Sequence, residues 1–246
     1  MKKIIIVGAS SGIGFRLAQE YAEKGCRLGI AARREAPLNE LANKYPGQIS
    51  VSKIDVTDSL TTINLRNLIA EVGGMDIFVL VSGVGKQNPN LDSAIEETTT
   101  LTNVMGFTRM VDEAFRYFRD GNRQGHIAVV SSIAGTKGLG IAASYSATKR
   151  YQNIYIDALE QLAKMQHVDV KFTDIKPGFI STPLLDGEKS YPMMMTLDYA
   201  MPRIVAAIEK KSRRAIIDWR WAIAVSLWRL IPAWLWKRLP IKNRDK

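Results

Sequence analysis

Cysteine is nearly absent from this chain: its 246 residues include Cys26 alone. A lone cysteine excludes an intrachain disulfide framework and suits a reducing compartment. Histidine is almost as scarce. His126 and His167 stand far apart with no Cys or carboxylate at ligand spacing, so a metal enzyme is not expected. Long hydrophobic openings are missing too. Met1-Lys2-Lys3 leads into four apolar residues before a glycine, too few for a signal peptide, and the expected location is cytoplasmic. What is present, 46% hydrophobic and 24% charged residues, is the composition of a globular chain with a sizeable core.

The net charge of +10 resembles a nucleic-acid signature until it is divided along the chain. Residues 203–246 hold 12 Lys/Arg and 3 Asp/Glu, while residues 1–202 hold 22 and 21. All five tryptophans (Trp219, Trp221, Trp228, Trp234 and Trp236) fall in the same basic stretch. Cations interleaved with tryptophans, rather than spread over a groove, argue against nucleic-acid binding.

Short β-rich apolar runs alternate with helix-like stretches, the pattern of βαβ units and a parallel sheet. Strands are expected at Ile4–Val7, Arg27–Ala31, Ile49–Ile54, Ile77–Val81, His126–Ser131, Val170–Ile175 and Arg214–Ile217, with helices such as Gly14–Lys24 and Tyr145–Lys164 between them. The expected fold is α/β: one doubly wound parallel sheet, Rossmann-like, with helices on both faces. It covers residues 1–218 and includes a substrate loop at about 184–198; a Trp-rich basic extension, 219–246, follows.

After the first strand comes Gly8-Ala-Ser10-Ser11-Gly12-Ile13-Gly14, and then a helix pattern. Glycines let the backbone approach phosphates, and a helix N-terminus supplies free N–H groups with a favourable dipole, as a dinucleotide pyrophosphate requires. The spacing is Gly-x3-Gly-x-Gly. The second strand ends in Arg33-Arg34 where a carboxylate would otherwise hold a ribose 2′-hydroxyl. Arginine suits a 2′-phosphate, so NADP(H) is preferred over NAD(H), which stays possible.

Tyr145 and Lys149 lie four apart, hence on one helix face. The pair alone means little, but Asn103, Ser132, an Asp55-Val56 pair and Pro177-Gly178-Phe-Ile180-Ser-Thr182 stand in a fixed order around it. In this joint pattern residues 1–215 resemble the short-chain dehydrogenase/reductase family. The resemblance places Gly8, Ser10, Ser11, Gly12, Ile13 and Gly14 in the cofactor loop. Arg33, Arg34, Asp55, Val56, Ser82 and Gly83 fall on the adenosine side, and Pro177, Gly178, Ile180 and Thr182 hold the nicotinamide. Asn103, Ser132, Tyr145 and Lys149 fall on the family's catalytic tetrad, the last two also contacting cofactor. Two departures stand out: Val7 replaces the threonine before the first glycine, and Leu80-Val81-Ser82-Gly83 replaces an Asn-Asn-Ala-Gly run.

The resemblance implies reduction of a carbonyl or oxidation of the alcohol. Ser132 would hold the substrate oxygen, Tyr145 would act as general acid or base, and Asn103 would hold a water relaying protons through Lys149. A free phenol has a pKa of about 10, and a neighbouring cation favours the phenolate. The competing class is a dinucleotide-binding regulator or membrane-associated scaffold with little turnover. Family members form homodimers or homotetramers.

The loop carries Leu184, Leu185, Tyr191, Pro192 and Met193–Met195, adaptable apolar surface suited either to a lid or to core packing. Residues 219–236 are apolar apart from Arg220, Ser226 and Arg229, with Pro232 dividing them. A mid-span arginine argues against a transmembrane helix. Trp flanked by cations suits a membrane interface, and peripheral attachment at the inner face of a membrane is the reading taken. Burial against a second subunit and a lid over the pocket are the alternatives. Together, lid and tail point to a lipophilic carbonyl such as a keto lipid, a steroid or a long-chain aldehyde.

Overall fold

The computed structural model describes residues 1–185, 189–241 and 244–245. The chain begins β1 (Lys3–Val7), α1 (Gly12–Glu23), β2 (Arg27–Ala32), α2 (Ala36–Lys44), β3 (Ile49–Lys53), α3 (Thr61–Val72) and β4 (Ile77–Leu80). It continues through α4 (Ser93–Thr100), a π-helical turn (Leu101–Gly106), α5 (Phe107–Asp120), β5 (Gly125–Val130), α6 (Ala143–Met165) and β6 (Val170–Pro177). The last part holds β7 (Lys189–Ser190), α7 (Leu197–Glu209), β8 (Arg214–Ile217), α8 (Trp219–Leu230), α9 (Ala233–Trp236) and β9 (Arg244–Asp245).

Seven strands form one parallel sheet in the order β3-β2-β1-β4-β5-β6-β8, and each matches an expected position. Strands covered on both faces need apolar residues at successive positions, and β1 shows why Ile4–Val7 reads as an unbroken run. Ile4 and Ile6 enter the core shared with Leu17, Leu28, Ile30 and Ile204, whereas Ile5 and Val7 enter the opposite core with Leu65, Phe78 and Phe107. The order reverses between β1 and β4, which opens the crevice where this architecture takes ligands.

Below that crevice, β5, β6 and α6 are pinned by a buried polar cluster. The Asp174 carboxylate accepts from the Ser131 hydroxyl, from Asn153 Nδ2 at 3.0 Å and from Lys176 Nζ at 3.2 Å. Asp174 is 1% exposed, so each partner offsets desolvation that an isolated carboxylate could not bear.

The Trp-rich segment begins inside the core. Asp218 caps α8, accepting from Arg220 N at 2.9 Å and from the Tyr199 hydroxyl at 2.9 Å. Trp221 and Val225 are buried in the core cluster, with Trp228 packed against it. Trp219, Ile223, Leu227 and Leu230 form an exposed stripe on the same helix. α8 is therefore apolar both inside and outside. Among the described residues, no helix is long and apolar enough to cross a membrane. Parts of the expected substrate loop (186–188) and tail (242, 243 and 246) lie outside the described residues.

Because Trp221 fills core volume, Trp221→Ala is expected to cost about 3–5 kcal/mol in urea unfolding. A loss below about 1 kcal/mol would mean that α8 merely rests on the domain.

Candidate active site

The glycine turn joins the C-terminal end of β1 to α1. Gly8 has φ +96°, and a Cβ there would lie 2.4 Å from Ser82 N, so β4 and the turn meet at van der Waals limits. Gly12 has φ +54°, and the Thr182 methyl lies 3.3 Å from where its Cβ would be. Thr182 therefore folds back over the turn. Ser11 stands at the helix N-cap without a side-chain cap bond, leaving first-turn N–H groups of α1 free for an anion. A glycine cradle that any side chain would fill, facing a bare helix N-terminus, fits a dinucleotide pyrophosphate.

Arg33 and Arg34 are both exposed at the end of β2. Arg34 Nη2 donates to Ser10 Oγ at 3.3 Å, over the turn. Asp55 accepts from Thr57 N at 2.9 Å and from Thr57 Oγ1 at 2.7 Å. Burial opposes its ionisation, but those bonds and the Arg33 charge prevail and hold its carboxyl below the usual range. Val56 is buried against Gly106.

Ser132, Tyr145 and Lys149 converge from β5 and α6. Ser132 Oγ accepts from Ala134 N at 3.1 Å, and the Ser132 side chain stands within electrostatic reach of the Tyr145 phenol. Lys149 Nζ lies 5.7 Å from the centroid of the Tyr145 ring and donates to Val130 O and Gln152 Oε1, each at 3.2 Å. Burial raises the Tyr145 phenol above its ordinary pKa, and the Ser132 side chain is the opposing influence. Burial also pulls the Lys149 ammonium down to about 8, against the attraction of Asp174. Lys149 stands beside the Tyr145 ring, while Ser132 is the neighbour whose side chain favours the phenolate.

Asn103 occupies the π-helical turn between α4 and α5, a distortion common where a helix serves a site. Its amide is fully engaged: Oδ1 accepts from Val84 N at 2.9 Å, while Nδ2 donates to Val84 O at 2.7 Å and Thr148 Oγ1 at 3.1 Å. Its main-chain oxygen accepts from Gln152 Nε2 at 2.9 Å. Gln152 thus ties the Asn103 main chain to the Lys149 side chain, and it escaped the sequence reading. A glutamine three residues past Lys149 on the same helix was the available signal. Gly85 was missed as well: a Cβ there would lie 2.3 Å from Tyr145 Cδ2, so the phenol ring packs on bare backbone. Gly83 faces Asn103 Oδ1 and Lys149 Nζ in the same way, at 3.3 and 3.4 Å.

Pro177 ends β6, and Gly178 N donates to Ile217 O at 3.2 Å. A Cβ on Gly178 would lie 2.1 Å from Trp221 Nε1, so the tail's first helix presses on this motif. Ile180 is buried and bridges to Met195. Met195 is thus core, whereas Leu184, Met193 and Met194 are exposed. Aromatic rings run from the loop into the tail: Tyr191–Phe179 at 4.8 Å, Phe179–Trp221 at 5.6 Å, Trp221–Trp228 at 5.9 Å and Trp228–Trp236 at 5.8 Å between centroids. Trp236 Nε1 closes the series on Gly138 O at 2.8 Å, a few residues from Ser132.

A Rossmann-like sheet with a glycine turn at one end of the crevice and a Ser, Tyr and Lys cluster at the other defines an oxidoreductase acting on CH–OH or C=O groups. Residues 2–191 match the family described as short chain dehydrogenase. The chain belongs to the short-chain dehydrogenase family. An uncharacterized oxidoreductase of Mycobacterium tuberculosis is 31% identical, with 96% of each chain aligned. Dehydrogenase/reductase SDR family member 7B of Bos taurus is 26% identical over 99% of this chain and 82% of its own. Among solved structures, ElxO with NADP bound superposes with TM-score 0.78 at 21% identity, covering 90% of this chain and 99% of that one. The 3-ketoacyl-(acyl-carrier-protein) reductase of Brucella melitensis, complexed with NADH, gives 0.75 at 20% identity over 88% and 96%.

Lys149 yields a pH prediction. Its folded pKa of about 8 lies below that of an unfolded lysine, so the unfolded chain binds more protons between those values and stability rises with pH there. Relative to Lys149→Met, the wild type should gain on the order of 3 kcal/mol between pH 7.5 and 10.5. Parallel denaturation curves for the two proteins across that range would remove the buried ammonium.

Proposed function

We propose that this protein is an NADP(H)-dependent carbonyl reductase, or alcohol dehydrogenase in reverse, for a lipophilic substrate. The observation that carries the reading is the convergence of Ser132, Tyr145 and Lys149 beside the crevice, with Gly83 and Gly85 clearing space for them. A nicotinamide dinucleotide, when bound, supplies or accepts the hydride. The turn from Gly8 to Gly14 and the α1 N-terminus hold its pyrophosphate, Asp55 and Val56 its adenine side, and Ile180 and Thr182 its nicotinamide side. Ser132 positions the substrate oxygen and Tyr145 moves the proton at that oxygen. Lys149 supports the phenol as a positive charge, and Gln152 with Asn103 fixes where that charge stands.

Arg33 and Arg34 favour a 2′-phosphate, since both are exposed at the β2 terminus and Arg34 reaches the turn. The lipophilic substrate is supported by the exposed Leu184, Met193 and Met194 and by the Phe179, Tyr191 and Trp221 rings beside the Pro-Gly motif. Peripheral attachment to an anionic membrane from the cytoplasmic side is supported by the exposed stripe on α8 and by Trp234, Leu235 and Leu239 beyond it, interleaved with Lys237 and Arg238. Exposed Leu101 and Met105 offer apolar surface for a second copy in a homodimer or homotetramer.

The deciding experiment follows NADPH consumption against ketones and aldehydes graded by chain length, with NADH in parallel. Turnover is expected to rise with chain length and to require NADPH. Tyr145→Phe should lose at least about 100-fold in turnover while still binding NADPH. Tight NADPH binding without turnover on any substrate would favour a dinucleotide-binding regulator. In vesicle flotation the wild type should rise with anionic lipid, and a variant with Ile223, Leu227 and Leu230 all changed to serine should stay behind. Equal flotation of the two proteins would end the membrane reading.

A further inference from the structure

A cavity of about 390 Å³ opens on the far side of α6 from the Tyr145 phenol, and its walls carry an unbalanced charge. Lys137, Arg150, Lys176, Arg214 and Arg229 line it, with Asp157 as the lining carboxylate. These cations come from four separate parts of the fold: the loop after Ser132, α6, the adjacent strands β6 and β8, and α8. Asp157 is already shared, accepting from Arg214 at 3.0 Å and pairing with Arg213 at 2.5 Å. Lys176 leans on Asp174, and Lys137 Nζ donates to Ile231 O at 2.8 Å. Arg150 and Arg229 have no carboxylate partner among the described residues.

The buried Lys176 shows the strain of this grouping. Desolvation is the main influence lowering its pKa; the Arg214 and Arg229 charges add to it, and only Asp174 opposes. Packing alone gives no reason to place the unpaired Arg229 guanidinium near an already buried ammonium, with the unpaired Arg150 on the same cavity wall. An anion among them would relieve the repulsion and use their donors.

We propose that this cavity is a phosphomonoester site, separate from the dinucleotide crevice. Two planar guanidinium forks and two ammonium groups match the several oxygens and double charge of a phosphate better than a single carboxylate would. The volume is large enough for the phosphate together with part of an organic body. Either a lipid headgroup or a soluble phosphate ester carries this chemistry. The site stands whether or not the reductase reading holds.

The test is calorimetric titration of the full chain with glycerol 3-phosphate in excess NADPH, beside flotation with phosphatidylcholine vesicles containing phosphatidic acid. Arg150→Gln and Arg229→Gln are expected to weaken binding by about fivefold each and about 25-fold together. Thermal melting and NADPH binding should be unchanged in both. Binding should also weaken as ionic strength rises towards physiological values. Loss in the vesicle arm alone assigns a lipid headgroup, and loss in both arms assigns a soluble ester as well. Failure of the wild type to bind in both arms would overturn the site. So would an undiminished double variant, or an equal calorimetric loss of glycerol 3-phosphate binding in a control pair, Lys237→Gln with Arg238→Gln, outside the cavity.

Discussion

The buried carboxylate of Asp174 is the charge around which this end of the molecule is organised. It sits on β6, almost fully buried, and is satisfied by Ser131 just after β5, Asn153 from α6 and Lys176 from its own strand. Those bonds fix α6 against the sheet, and α6 carries both Tyr145 and Lys149. The same charge reaches Lys149 through space and resists the loss of its proton on burial. Remote electrostatics and local packing are therefore set by one residue. A buried pair of this kind contributes little net stability, but removing one member leaves the other exposed to the full desolvation cost.

Much of the architecture was legible in the sequence because it depends on local periodicity. Each of the seven expected strands is a run of β-branched or apolar residues bounded by turns, and α6 follows the helical pattern from Tyr145 onward. The glycine turn was legible for a different reason, since close backbone approaches at Gly8 and Gly12 tolerate no Cβ. Gln152, Gly85 and Asp174 were not. Each matters through a partner distant in sequence: Asn103 for Gln152, Tyr145 for Gly85, and Ser131 for Asp174. Spacing along one element cannot announce such meetings.

The tail was the hardest segment to read, and α8 shows why. Its inner residues, Trp221, Val225 and Trp228, and its outer residues, Trp219, Ile223, Leu227 and Leu230, are equally apolar. Hydrophobic periodicity distinguishes a core face only when the other face is polar. Arg220 belongs to the Asp218 cap and Arg229 to the cationic cavity, so neither marks a solvated side. Core packing and an outward apolar surface therefore coexist on one helix, where the sequence had offered membrane contact, subunit contact and a lid as alternatives.

The rings from Tyr191 through Phe179, Trp221 and Trp228 to Trp236 carry a consequence for descent. The loop beside the crevice and the C-terminal helices touch through side chains of matched size, and Gly178 leaves Trp221 no room to shift. A lineage that remodels residues 179 and 191 must therefore change 221, 228 and 236 with them. Among relatives these five positions should be inherited and replaced as a block, so that the two ends of the segment, Phe179 and Trp236, diverge together even though 57 residues separate them.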